Sequence, residues 1–242
     1  MRLRRHDRHR QPPVLPFAPL AAWQARRTLG LGVDQLAWSL SYHGVRATPH
    51  DVEAWEGGHA CPDDEQLLAL ARALWCPVAL LLTRPPDSLR EWRLCRDLSR
   101  AELARRLRLA EDQVAALERG ALSWPADPEQ TQRLAAALEL TPRELVAATG
   151  NGTRLEAALR RAVAGRWRSL ADEVWTLVPT LTPDIVAFAL EALSSQVSTA
   201  QLPWGSSHTP ATAPSPPPSG PSAGGQEAEL TERFWTLTTG AP

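Results

Sequence analysis

The side chains best placed to do chemistry are arginines. Between Leu89 and Gly120 there are eight of them against six acids, a net of +2. Arg100, Arg105 and Arg108 stand in that run, Glu111, Asp112 and Gln113 follow at once, and Ala116 comes one turn later. Guanidinium groups neutralise phosphate oxygens and supply most of the affinity of a protein for duplex DNA. A glutamine amide can pair with adenine at two points, and a carboxylate can accept from cytosine N4. The two adjacent acids oppose phosphate, and the surrounding arginines must outweigh them. A weaker set lies upstream at Arg46, Thr48, Pro49, His50, Asp51 and Ala54. From Ala21 to Ala60 three arginines face four acids, a net of −1, so this second set is a poor phosphate binder and stands equally for DNA contact or a protein-facing role.

Other chemistry finds no foothold. The sequence has no GxxxxGK[ST], HExxH or GxSxG motif, so the chain is expected not to be an enzyme. His59 and Cys61 lie close together without a second pair at ligand spacing, so no metal and no cofactor are expected.

The elements that must position these residues are short helices. Ser99 and Glu102 have capping-box spacing, which predicts a helix start. Leu103, Ala104 and Leu107 then share one face. Arg108 to Ala110 form a break, Val114 and Leu117 share the face of a second helix, and Gly120 ends it. Two short amphipathic helices across a tight turn make a helix-turn-helix, whose second helix enters the major groove.

This stretch resembles the lambda-repressor-like, or Xre-type, helix-turn-helix family. The resemblance rests on Leu98-Ser99, Leu103-Ala104, Val114 and Glu118-Arg119-Gly120. It extends upstream to Trp92-Arg93 and downstream to Leu134, Leu138 and Thr141 to Leu145, covering residues 88–148 as a five-helix pattern. It implies sequence-specific binding of double-stranded DNA, with Arg100 where the family often has a phosphate-binding glutamine. It also implies ion pairs locking first helix to third, here Arg93 with Glu118 and Arg26 with Glu56, partly exposed and each worth on the order of 1 kcal/mol.

Residues 20–83 read as a first copy of the unit. Arg26, Leu31, Leu36, Ala37 and Leu40 take the places of Arg93, Leu98, Leu103, Ala104 and Leu107, at an offset of 67. After the turn Val52, Trp55, Glu56 and Gly58 match Val114, Leu117, Glu118 and Gly120 at an offset of 62, so five extra residues are assigned to the first copy's turn, within SYHGVRA. Arg84 to Asp87 form a short rigid joint between copies. Trp23, Trp38, Trp55, Trp75 and Trp92 are expected to fill the small helical cores.

Residues 1–19 read as a basic, Pro-broken arm of net +4, placed either along DNA or as a disordered tail. Residues 153–197 read as amphipathic helices that either dimerise or pack back on the second copy. Residues 203–226, rich in Pro, Ser, Gly and Thr, read as a disordered linker. Residues 227–242 carry a short hydrophobic motif, Leu230, Phe234, Trp235 and Leu237, a candidate docking peptide for a protein partner or for a groove on this protein.

Composition sets the compartment. Net charge is −1 and 43% of residues are hydrophobic, as in a globular protein. No apolar run approaches 18 residues and the basic N-terminus lacks an apolar core, so no membrane and no signal peptide are expected. Cys61, Cys76 and Cys95 lack framework spacing, which suggests reduced thiols and a cytoplasmic location. Lysine is absent, and Met1, Tyr42, Asn151 and Ile185 are single occurrences of residues with AT-rich codons, pointing to a GC-rich genome of actinobacterial type.

The expectation is thus an all-α chain: two tandem five-helix lambda-repressor-like helix-turn-helix units, a small helical segment and a disordered C-terminal tail. Its expected function is transcriptional regulation as a DNA-binding homodimer. The alternative is a protein-interaction adaptor that reuses the fold and its tethered C-terminal motif.

Overall fold

The computed structural model describes residues 15–125, 127–200 and 223–239. Among them the chain is helical: α1 (Pro19–Thr28), α2 (Val33–Tyr42), α3 (Pro49–Glu56), α4 (Asp64–Ala73), a 3-10 turn (Val78–Leu81), α5 (Leu89–Cys95), α6 (Arg100–Leu107), α7 (Glu111–Glu118), α8 (Pro128–Leu138), α9 (Pro142–Thr149), α10 (Gly152–Arg161), a π-helical turn (Ala162–Arg166), α11 (Trp167–Leu177), α12 (Pro183–Ala200) and α13 (Ala223–Thr239). The chain divides into two compact units, Met1–Trp124 and Pro125–Pro242. The boundary falls inside the stretch 88–148.

Helix starts follow local chemistry. Ser99 accepts from the Glu102 amide while Glu102 accepts from the Ser99 amide, and Thr48 with Asp51, Asp63 with Gln66 and Thr141 with Glu144 do the same. Each box satisfies two amides that the first helical turn leaves without partners.

In the first unit, Leu36, Leu40, Val52, Trp55, Leu67, Leu70 and Leu81 form a buried core that includes Leu94. Leu98, Leu103, Leu107 and Val114 are buried as well. The expected arm ends earlier than residue 19. Leu15 and Phe17 are buried, Phe17 bridges Leu82 antiparallel, and the Ala18 and Thr83 amides donate to the Leu81 and Pro16 carbonyls. Apolar side chains at 15 and 17 draw this segment onto the unit. Residues 1–14 of the arm lie outside the described residues.

Backbone features recur at the spacings of the two proposed copies. Left-handed residues occur at Gly30 and Asp97 and at Gly58 and Gly120. The five extra residues do not all lie in the turn. α2 has ten residues against eight in α6, and six residues join α2 to α3 against three between α6 and α7. Ser41 and Tyr42 continue the helix because nothing in their chemistry stops it.

The tryptophans divide. Trp55 is buried and Trp92 half-buried, but Trp23, Trp38 and Trp75 are exposed by 43%, 65% and 87%. The expectation that all five fill cores fails for these three. Trp75 sits just past the end of α4 in a left-handed conformation, which turns its side chain away from the core.

The second unit buries Leu155, Leu159, Leu170, Val174, Val186, Leu190 and Leu193 from α10, α11 and α12 in one cluster with Phe234 and Trp235 of α13. Two expectations are corrected here. Residues 223–226 belong to α13 rather than to the linker, and the C-terminal motif is helical through Thr239 rather than disordered. An apolar stripe of Leu230, Phe234, Trp235 and Leu237 at helical spacing is enough to order it against α10 and α12. The remainder of the expected linker, residues 203–222, lies outside the described residues.

Candidate nucleic-acid interface

α6 and α7 meet across three residues because Arg108 adopts φ 56°, ψ 38°, the left-handed conformation more often taken by glycine. Leu103, Leu107 and Val114 are fully buried on the inner side. The outer side carries Arg105, Arg106, Arg108, Glu111, Asp112 and Gln113, all exposed, with Ala116 half-buried. Gln113 is partly committed: its Oε1 accepts the Ala110 amide at 3.0 Å, capping α7. Its amide nitrogen remains to donate.

The equivalent part of α3 is more committed. Asp51 accepts from the Thr48 amide and hydroxyl, both at 2.7 Å. The Thr48 amide bond, then its hydroxyl, holds the Asp51 carboxyl below the usual carboxylate range. Arg46, Pro49 and His50 are exposed and Ala54 half-buried.

Arg100 points inward. Its Nε donates to Glu118 at 3.1 Å and its Nη2 to Asp64 at 3.3 Å. It joins a network centred on Arg93, whose side chain is 1% exposed. Arg93 Nε donates to Glu118 Oε1 at 2.6 Å, Nη1 to the Leu98 carbonyl at 2.9 Å and Nη2 to Asp64 Oδ2 at 2.5 Å. Asp64 also takes Arg90 Nε at 2.8 Å. Burial opposes the charge on Arg93, but hydrogen bonds and attraction from Glu118 and Asp64 outweigh it and raise its pKa. Burial likewise pushes Asp64 up, and Arg90 and Arg93 overcome it, leaving its carboxyl below the ordinary value.

Arg26 repeats the inner part of this arrangement. It donates to Glu56 at 2.7 and 2.6 Å and to the Leu31 carbonyl at 2.8 Å. The expectation of partly exposed pairs is corrected: Glu118 is 2% exposed at its side chain, and Arg26 and Glu56 are each 8% exposed. Removing one partner from such a pair strands a buried charge and costs about 3–5 kcal/mol rather than about 1.

Sequence reasoning missed Asp64. It follows Asp63, the N-cap of α4, and reads as one more acid in a first helical turn. Its partners lie 26 to 36 residues away, and no local pattern announces them.

A second surface was also missed. Trp38 and Tyr42 stack edge to face with ring centres 4.5 Å apart, and Tyr42 is 68% exposed. Tyr42 and Trp75 both line an open cleft of about 670 Å³, with Cys76, Pro77, Val78 and Cys95 among its walls. Burial pushes the Cys95 thiol up to about 11, assisted by Glu91, and raises Cys76 too. Neither is a reactive thiol near neutral pH.

Among the described residues no cluster of His, Cys, Asp and Glu can hold a metal, and no helix is long and apolar enough to cross a membrane. Comparison with known protein families, curated proteins and solved structures found no match.

Proposed function

We propose that the chain is a sequence-specific double-stranded DNA-binding transcriptional regulator built on tandem lambda-repressor-like helix-turn-helix units, acting without cofactor or catalysis. The observation that carries this reading is the exposed start of α7, Glu111 to Gln113, beside exposed Arg105 and Arg108. α7 enters the major groove, Gln113 reads a base edge through its amide nitrogen, and Arg105 and Arg108 hold phosphates. Arg100, engaged by Glu118 and Asp64, fixes the angle between α6 and α7 instead of gripping phosphate. α3, with Asp51 and Thr48 turned to capping, adds little sequence reading. The test is selection from a random duplex pool followed by binding titrations at several salt concentrations. A selected site with steeply salt-dependent affinity is the expected result. No retention of any duplex at low salt ends the proposal.

A second reading has its own support. The Trp38, Tyr42 and Trp75 rings form an exposed aromatic surface beside the cleft, the kind of patch that anchors a protein partner. On that reading the chain is an adaptor. Capture of a partner that depends on Trp38 and Trp75, with no duplex selected, favours it.

A further inference from the structure

The cleft at the ends of α2, α4 and α5 serves no step in DNA binding. Its volume, about 670 Å³, is in the range of small-molecule sites. Its buried lining is apolar: Ala71, Ala73 and Val78. Cys76 and Cys95 add two thiols that burial keeps protonated at neutral pH, so they contribute no charge. Tyr42 and Trp75 supply two aromatic rings. Trp38 packs edge to face on Tyr42 and supports that ring. Trp75 holds φ 54° at 87% exposure, so no packing within the chain accounts for its outward ring. Non-glycine residues held in this conformation cluster at binding sites.

The polar groups of the cleft select the ligand's charge. Arg72 and Asp97 both line it, and they are committed to each other: Arg72 Nε donates to the two Asp97 carboxylate oxygens at 3.0 and 3.1 Å. An anion would meet Asp97 and a cation Arg72, and freeing either partner would cost the pair. Ser39, Tyr42 and His43 share one face at the end of α2, three and four residues apart. Among the described residues the Ser39 hydroxyl and the His43 ring have no hydrogen-bond partner, so both are open to a ligand. We propose that this cleft binds an uncharged, planar aromatic molecule bearing a carbonyl or amide group, its rings against Tyr42 and Trp75 and its polar group hydrogen-bonded by Ser39 and His43. Flat rings gain most from aromatic walls, and a few placed polar groups fix their orientation.

This inference rests on neither DNA binding nor a protein partner. The test uses the full chain, saturation-transfer NMR and calorimetry with three probes of one shape: indole-3-carboxamide, which is uncharged, indole-3-carboxylate, an anion, and 3-(aminomethyl)indole, a cation. The carboxamide is expected to bind with a Kd below about 1 mM, as suits so small a probe. It should bind about fivefold or more tightly than either charged probe. Tyr42→Ala and Trp75→Gly, both at exposed positions that the fold does not need, should each weaken it about tenfold. Ser39→Ala should weaken it several-fold. Trp23→Ala, on α1 and outside the cleft lining, should leave it unchanged. No saturable binding of the carboxamide at about 1 mM overturns the proposal. So does a preference for either charged probe, or binding that Tyr42→Ala and Trp75→Gly leave intact. An equal loss in Trp23→Ala overturns it too, since the probe would then be stacking on any exposed tryptophan.

Discussion

Asp64 accepts a hydrogen bond from Arg93, and through it the start of α4 is tied to α5, far along the chain. The same carboxylate holds Arg90 and Arg100, and Glu118 closes the network from the end of α7. One acid contributed by residues 20–83 therefore pairs with three arginines from residues 88–120, two of which Glu118 shares. Within the first unit, α4 and the α5–α7 segment are joined by charge as well as by apolar packing, and the angle at which α7 is held depends on that joint.

Glu118→Ala should lower stability by about 3–5 kcal/mol, because Arg93 is almost wholly buried and would lose its principal partner. Urea unfolding followed by circular dichroism measures it. Glu56→Ala, which strands Arg26 at 8% exposure, should cost a similar amount. A loss under about 1 kcal/mol for both would mean that the pairs behave as surface pairs.

Acid should weaken the network in a defined window. Asp64 is shifted downward in the folded state by Arg90 and Arg93, which overcome the opposing effect of burial. A depressed carboxylate stabilises the fold above its unfolded value of about 4, and that contribution fades as pH falls toward the folded value. The stability difference between the natural chain and Asp64→Asn should be constant from pH 7 to about 5 and shrink below about pH 4. A difference that grows on acidification would show that the shift has the opposite sign.

Much of this fold was legible because its signals are local. Capping boxes at Ser99–Glu102 and Thr141–Glu144, and the apolar spacing of Leu103, Leu107 and Val114, fix helices within a dozen residues. The pairing of Arg26 with Glu56 and of Arg93 with Glu118 was accessible only through resemblance, since each joins residues 25 or more apart. Asp64 was illegible because its role depends on three arginines contributed by later helices. Trp75 was misplaced because its hydrophobicity argues for burial, whereas the left-handed turn after α4 directs it outward. The order of α13 was missed because composition upstream argued against structure, although the stripe from Leu230 to Leu237 was itself read.

Trp75 provides a test of that point. It holds φ 54° without burial to offset the strain, being 87% exposed. Trp75→Gly should leave the melting temperature unchanged or raise stability by up to about 1 kcal/mol, since a glycine adopts this conformation without a Cβ clash. A loss above about 1 kcal/mol would show that the ring supports the fold instead of the surface.

On the proposed DNA-binding reading, the arginines around α7 divide between phosphate contact and architecture. Arg105→Ala and Arg108→Ala should each weaken binding to every duplex alike and reduce the slope of log affinity against log salt by about 0.9. Gln113→Ala should change the preferred sequence, and it also removes the Oε1 cap on the Ala110 amide, a loss of about 1 kcal/mol in stability. Arg100→Ala should behave differently from both, because its guanidinium is shared by Glu118 and Asp64. Its main effect should be on unfolding, with the salt slope retained. If Arg100→Ala instead lowers the slope by about 0.9 with stability unchanged, Arg100 leaves the network to bind phosphate, and the division between α7's readers and its supports must be redrawn.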